Sequence, residues 1–176
     1  MRGLACQLQS AAMHFKQSVI DVVGALNAAE IRYLIVGGLA VASHGYLRTT
    51  KDIDLVVALD PSNATAAFAA LAKAGYRPKV PVTAAEFSDV GTRERLIEEK
   101  HMIVLQFWRD ESPDVDVFVR EPFDFDAEWT NGRIEQVTPH LQARVVGLEA
   151  LLELKRQASR PQDLADIDAL TKLYES

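Results

Sequence analysis

Two carboxylates, Asp52 and Asp54, sit two residues apart in the segment Thr50-Lys51-Asp52-Ile53-Asp54-Leu55-Val56-Val57. In an extended strand, residues i and i+2 project to the same face, so these two side chains point together while Ile53 and Leu55 point to the other face. Adjacent carboxylates repel and raise one another's pKa. A divalent cation removes that conflict, and Mg²⁺ in particular takes a few carboxylates together with substrate phosphates. The pair reads as half of a metal site for phosphoryl-type chemistry. Its bland counterpart is a solvated strand edge or a turn cap, and an isolated D-x-D does not choose between them.

The setting of the pair adds information. Upstream, Tyr33-Leu34-Ile35-Val36 is a short apolar run that ends at Gly37-Gly38, and Leu39 to His44 reads as a short helix closed by Gly45. Strand, glycine pair and helix together can hold a phosphate, because glycine lets a ligand approach the backbone and the first N–H groups of a helix are free donors. A tight strand-to-helix turn accounts for the same residues. The glycines match neither G-x-G-x-x-G nor the P-loop pattern.

Val36-Gly37-Gly38, followed by Arg48-Thr49-Thr50-Lys51-Asp52-Ile53-Asp54-Leu55, resembles the signature of the nucleotidyltransferase superfamily related to polymerase beta. The Arg-x-Thr before the acidic pair is closest to AbiEii-type abortive-infection and toxin nucleotidyltransferases. The segment is also similar to the opening of lincosamide and aminoglycoside nucleotidyltransferases. The resemblance implies a third carboxylate on a later neighbouring strand. Asp114-Val115-Asp116-Val117-Phe118-Val119 supplies it, and Asp116, flanked by valines, is the expected residue. Asp114 is expected to start the strand or cap the turn after Ser112-Pro113. The segment Leu151 to Ile167, with Lys155, Arg160, Asp163 and Asp166, resembles a further motif of the AbiEii-like group, although Pro161-Gln162 replaces its usual basic residue.

The resemblance implies metal-dependent transfer of a nucleoside monophosphate from an NTP to an RNA, protein or small-molecule acceptor, with release of pyrophosphate. It assigns Asp52, Asp54 and Asp116 to Mg²⁺ (or Mn²⁺) and to catalysis. Gly37, Gly38, Arg48, Thr50 and Lys155 would receive the nucleotide. The other reading it allows is a nucleotide-binding regulatory half of a toxin–antitoxin pair, with a cognate toxin or antitoxin as partner. From the residues themselves, Lys155 is either a mobile point charge for a triphosphate or a solvated surface lysine. Asp163, just after Pro161, is expected to stabilise a helix start.

The remaining sequence frames this site. The chain has 176 residues, 48% hydrophobic and 25% charged, enough for a full core and ordinary for a globular protein. A single domain over 1–176 is expected, with a core over about 14–146 and C-terminal helices over about 147–174. The net charge of −6 gives no overall attraction to nucleic acid. One cysteine, Cys6, excludes an internal disulfide and a cysteine-based zinc site. The four histidines are scattered and read as surface or helix-end residues. With no long apolar run and no signal-peptide pattern, no membrane association and a cytoplasmic location are expected.

Periodicity predicts helices over Met13–Ala29, from Asp60 to near Gly75, from about Pro81, and over Leu148–Ala158 and Pro161–Tyr174. Strands are expected at Arg32–Val36, Asp52–Leu59, Met102–Trp108, Asp114–Val119, Arg133–Val137 and Ala143–Val146. The charge-dense stretch Thr92–Lys100 reads as a solvated face or loop from which Arg93 or Arg95 could reach a substrate. Phe123, Phe125 and Trp129 are expected in a connection, against the sheet or stacked on a base. The resulting fold class is α+β, a mixed central sheet flanked by helices with a helical C-terminal cap, as the nucleotidyltransferase fold would require.

Overall fold

A computed structural model describes residues 2–175, with side-chain surroundings from residue 12 onward. In chain order the elements are α1 (Arg2–Ala28), β1 (Tyr33–Ile35), α2 (Gly37–Ser43), β2 (Ile53–Val57), α3 (Pro61–Lys73), β3 (Arg77–Pro78), α4 (Ala84–Ser88), α5 (Val90–Lys100), β4 (Val104–Trp108), β5 (Val115–Phe118), α6 (Phe125–Asn131), β6 (Arg133–Thr138), β7 (Leu141–Val145), α7 (Leu148–Ala158) and α8 (Pro161–Glu175). The seven strands form one sheet in the order β3-β4-β5-β2-β1-β7-β6. The pairs β2–β5 and β1–β7 are parallel and the other four are antiparallel, so the sheet is mixed, as expected for the α+β class.

The order follows from composition. β2 is central, and Ile53, Leu55, Val56 and Val57 are fully buried. Each such side chain stabilises the fold by about 1.5–3 kcal/mol through loss of apolar area from water. Asp54 is the polar exception in that strand, half-buried among them. Helix α1 lays Val22, Val23 and Leu26 on the core, while α3 contributes Ala64, Ala67 and Leu71. Asp60 caps α3 by accepting from the Asn63 N–H at 3.0 Å, with Pro61 at the first helical position. Among the described residues no helix is long and apolar enough to cross a membrane.

Five elements differ from the sequence expectation, the first being the short edge strand β3, which the expected strands lack. Helix α1 extends back to Arg2, well before Met13. The charge-dense stretch is a helix, α5: Asp89 caps it by accepting from the Thr92 N–H at 2.7 Å, and Arg93 and Leu96 form a buried inner face. The charges at Glu94, Arg95, Glu98 and Glu99 thus decorate its outer side. The aromatic connection is also a helix, α6, capped by Asp124 on the Ala127 N–H at 3.0 Å. Phe125 and Trp129 stack at 6.1 Å, with Arg32 lying over both rings. Finally, the glycine pair does not precede the short helix but opens it, because α2 begins at Gly37.

Candidate active site

The parallel pairing of β2 with β5 sets Asp54 opposite Asp116 in register. Asp52 and Asp114 lie just beyond the start of this pairing, where the Ile53 N–H donates to the Asp114 carbonyl at 2.9 Å and joins the two strands. Asp52 lies one residue ahead of β2, at the mouth of the sheet rather than within it. The pairing thus brings four carboxylates to one end of two neighbouring strands.

Their electrostatics reflect that crowding. Burial pushes the Asp116 carboxyl up to about 6; hydrogen bonds from Gln106 pull it back, and Asp54, Asp52 and Asp114 add repulsion. Burial also raises Asp54, with Asp52 adding to the rise, while the Gly38 N–H and the charges of Arg160 and Lys155 oppose it. Asp52 is raised by burial and then by Asp114, with Lys79 and Lys51 acting the other way. Lys79 forms an ion pair with Asp114 and so occupies the outermost carboxylate.

Gln106 belongs to the site although no sequence motif marks it. It pairs in register with Asp116 across β4–β5, and its side-chain amide donates to both Asp116 oxygens, at 3.0 and 3.3 Å. The only hint in the sequence is a lone polar side chain between Leu105 and Phe107, both buried, in an otherwise apolar strand.

Gly37 and Gly38 wall the same space. Gly37 has φ +61°, and a Cβ built there would stand 1.9 Å from Asp54 Oδ2. Glycine is required by both the backbone conformation and the room the carboxylate takes. A Cβ at Gly38 would meet the Thr50 hydroxyl oxygen at 2.5 Å and a terminal guanidinium nitrogen of Arg48 at 3.1 Å. Thr50 and Arg48 are thereby placed against the glycine pair.

Arg48 and Lys155 are tied into the fold. Asp166, fully buried, accepts four hydrogen bonds, from Arg48 Nε (2.7 Å), Arg48 Nη2 (2.9 Å), Lys155 Nζ (2.6 Å) and Gln162 Nε2 (3.0 Å). Those bonds match the four lone-pair positions of a carboxylate. Lys155 Nζ also donates to Asp163 Oδ1 at 3.1 Å, and the Lys155 side chain is only 5% exposed. Asp163 Oδ2 accepts from Arg160 Nε at 2.7 Å and from the Arg160 N–H at 3.3 Å, which closes the start of α8. Burial would raise both aspartates, yet the hydrogen bonds win and hold each below the usual carboxylate range. Lys155 is therefore neither solvated nor open to the cleft. Arg93 is likewise turned inward, donating to the Phe87 carbonyl at 2.7 Å. His44 caps the end of α2, buried between the Val146 carbonyl (2.9 Å) and the Tyr174 hydroxyl (3.2 Å).

Among the described residues, no three His, Cys, Asp or Glu side chains stand close enough together to enclose a metal ion. The site offers carboxylates in pairs. That donor set suits Mg²⁺, which keeps waters and takes its remaining ligands from substrate phosphates.

No protein-family model and no curated protein matches the chain. Solved structures do. The solution structure of the antibiotic-resistance factor ANT(2'')-Ia superposes with a TM-score of 0.58 at 15% identity, over 90% of this chain and 83% of that one. Crystalline ANT(2'')-Ia in complex with adenylyl-2''-tobramycin gives 0.55 at 13% identity, over 90% and 88%. An antigenic nucleotidyltransferase-like protein from Paracoccidioides brasiliensis gives 0.52 at 18% identity, over 90% and 76%. With the mixed seven-stranded sheet and its helical C-terminal cap, the chain has the nucleotidyltransferase fold.

Proposed function

We propose that this protein is a metal-dependent nucleotidyltransferase that moves a nucleoside monophosphate from an NTP to a hydroxyl or phosphate acceptor and releases pyrophosphate. The observation that carries the reading is the in-register pair Asp54–Asp116, with Asp52 at its mouth and Gly37 giving up its Cβ position to the Asp54 carboxylate. Asp54 and Asp116 as one pair, with Asp52 beside Asp54, would lend carboxylates to Mg²⁺ or Mn²⁺, whose other ligands would be waters and substrate phosphates; when bound, the metal offsets the charge of the triphosphate and lowers the pKa of the attacking hydroxyl.

The protein's own residues do the positioning. Gln106 fixes the plane of Asp116 by donating to both of its oxygens, so that carboxylate is oriented before substrate arrives. In the free protein burial pushes the Asp116 carboxyl up to about 6; a bound cation would oppose that rise and keep the carboxylate ionised as its ligand. Gly37 and Gly38 let the phosphate chain approach the backbone, and Thr50 offers a hydroxyl beside them. Arg48 and Lys155 act from behind this wall as fixed charges rather than as mobile clamps, since Asp166 holds both.

The acceptor is RNA, a protein side chain or a small molecule, and the motif likeness to AbiEii-type proteins adds a toxin–antitoxin partner to the proposal. ANT(2'')-Ia with adenylyl-2''-tobramycin makes a polyhydroxyl antibiotic a small-molecule acceptor to include. The test is incubation with labelled NTPs and Mg²⁺ or Mn²⁺ in the presence of total RNA, total protein or small-molecule pools, with Asp54→Asn as control. Label incorporated by wild type and not by the variant supports the reading. Nucleotide binding without any transfer would replace it with the regulatory role.

A further inference from the structure

The network around Asp166 contains three cations, Arg48, Lys155 and Arg160, but only two anions, Asp163 and Asp166. The first two cations are enclosed by their partners. Arg160 is different: its side chain is 76% exposed although the carboxylate that holds it, Asp163, is only 4% exposed. Asp163 grips Nε and the backbone N–H of Arg160. Among the described residues, its two η nitrogens make no hydrogen bond. A guanidinium held by Nε keeps its outer edge free as a fork of donors, the geometry that matches phosphate oxygens.

Its position follows from the same chain of contacts. The network starts at the guanidinium of Arg48 beside Gly38, passes through Asp166, Lys155 and Asp163, and ends at Arg160. Arg160, like Lys155, lies near enough to Asp54 for its positive charge to act on that carboxylate and oppose its rise. We propose that Arg160 contacts the phosphate chain of the nucleotide in the Asp54–Asp116 cleft, with Asp163 and Lys155 as the internal brace that aims it. The role expected of Lys155 thus falls to a residue five positions later. This inference rests on the nucleotidyl-transfer reading of the cleft and assigns it a further binding residue.

Calorimetric titration of the full chain in Mg²⁺ with inorganic triphosphate, the four NTPs and the four nucleosides tests it. Arg160→Met should weaken triphosphate and NTP binding about 10- to 100-fold, as expected for loss of a charge-assisted contact, and leave nucleoside binding unchanged. Phenylglyoxal labelling mapped by mass spectrometry gives a readout that needs no variant: inorganic triphosphate should shield Arg160 in the wild type. Triphosphate affinity of Arg160→Met within twofold of wild type, or Arg160 labelling unaffected by bound triphosphate, overturns the proposal for Arg160 alone. A wild-type chain that binds neither triphosphate nor any NTP overturns the nucleotide reading of the whole cleft.

Discussion

Asp54 and Asp116 face one another in register on two parallel strands, and the charge of Asp54 makes Asp116 harder to ionise. Asp116, with its carboxyl at about 6 in the fold, lies above the ordinary value it would have in the unfolded chain. Its protonated form therefore stabilises the protein fully below about pH 4, and that contribution is lost as pH rises through about 6. Urea unfolding of the metal-free protein should show wild type losing stability relative to Asp116→Asn over this window. Above it the variant should be more stable by about 1 kcal/mol, a figure already reduced for solvent screening at a half-exposed group. Nucleotidyl transfer by the same variant should be abolished.

Asp166 should respond to acid with the opposite sign. Burial opposes its ionisation, but hydrogen bonds from Arg48, Lys155 and Gln162 hold its carboxyl below the unfolded value. Its contribution is present above about pH 4 and disappears as pH falls through the lower folded value. Melting curves from pH 5 to pH 2 should fall more steeply for wild type than for Asp166→Asn.

Lys155→Met should act on the fold first. Removing the ammonium leaves the buried Asp163 and Asp166 without their shared partner. Breaking a buried pair costs about 3–5 kcal/mol, and the lower end applies because Arg48 and Arg160 remain. Chemical denaturation measures this directly. A loss below about 0.5 kcal/mol, typical of a surface position, would contradict the buried network.

Gly37→Ala should damage the site more than its size suggests. The φ of +61° costs an L-residue about 1–2 kcal/mol, and the new Cβ meets the Asp54 carboxylate. Gly45→Ala is the matched control, with φ +103° and its nearest neighbour, Leu173, 3.9 Å away. Both variants should lose stability through the strained φ, Gly37→Ala the more because its Cβ must displace Asp54, and transfer activity should fall at least tenfold only in Gly37→Ala.

The carboxylate frame is legible in the sequence because strand alternation is a strong constraint. The i, i+2 spacing of Asp52 and Asp54, and the valines around Asp116, are enough to put these residues on or beside apolar strands. Nothing in the spacing of Lys155 shows that it turns inward, since its partners Asp163 and Asp166 stand on the next helix and the ordering of charges is a tertiary matter. Gln106 escapes for a related reason: only the β4–β5 register reveals that it serves Asp116. Helices α5 and α6 look like loops in sequence because their capping aspartates, Asp89 and Asp124, decide helix starts that charge density and aromatic content obscure.

The bond between Arg48 and Asp166 spans 118 positions of the chain. On the ribosome, the glycine wall and both strands of the acidic pair are made long before the carboxylate that steadies them. Contacts of such separation are also late to form once the chain is free, because a large loop must close first. A nascent chain will therefore carry a cluster of mutually repelling aspartates without its counterweight. On the proposed reading, the cleft gains affinity for nucleotide only after α8 has docked and Asp166 has closed on Arg48 and Lys155.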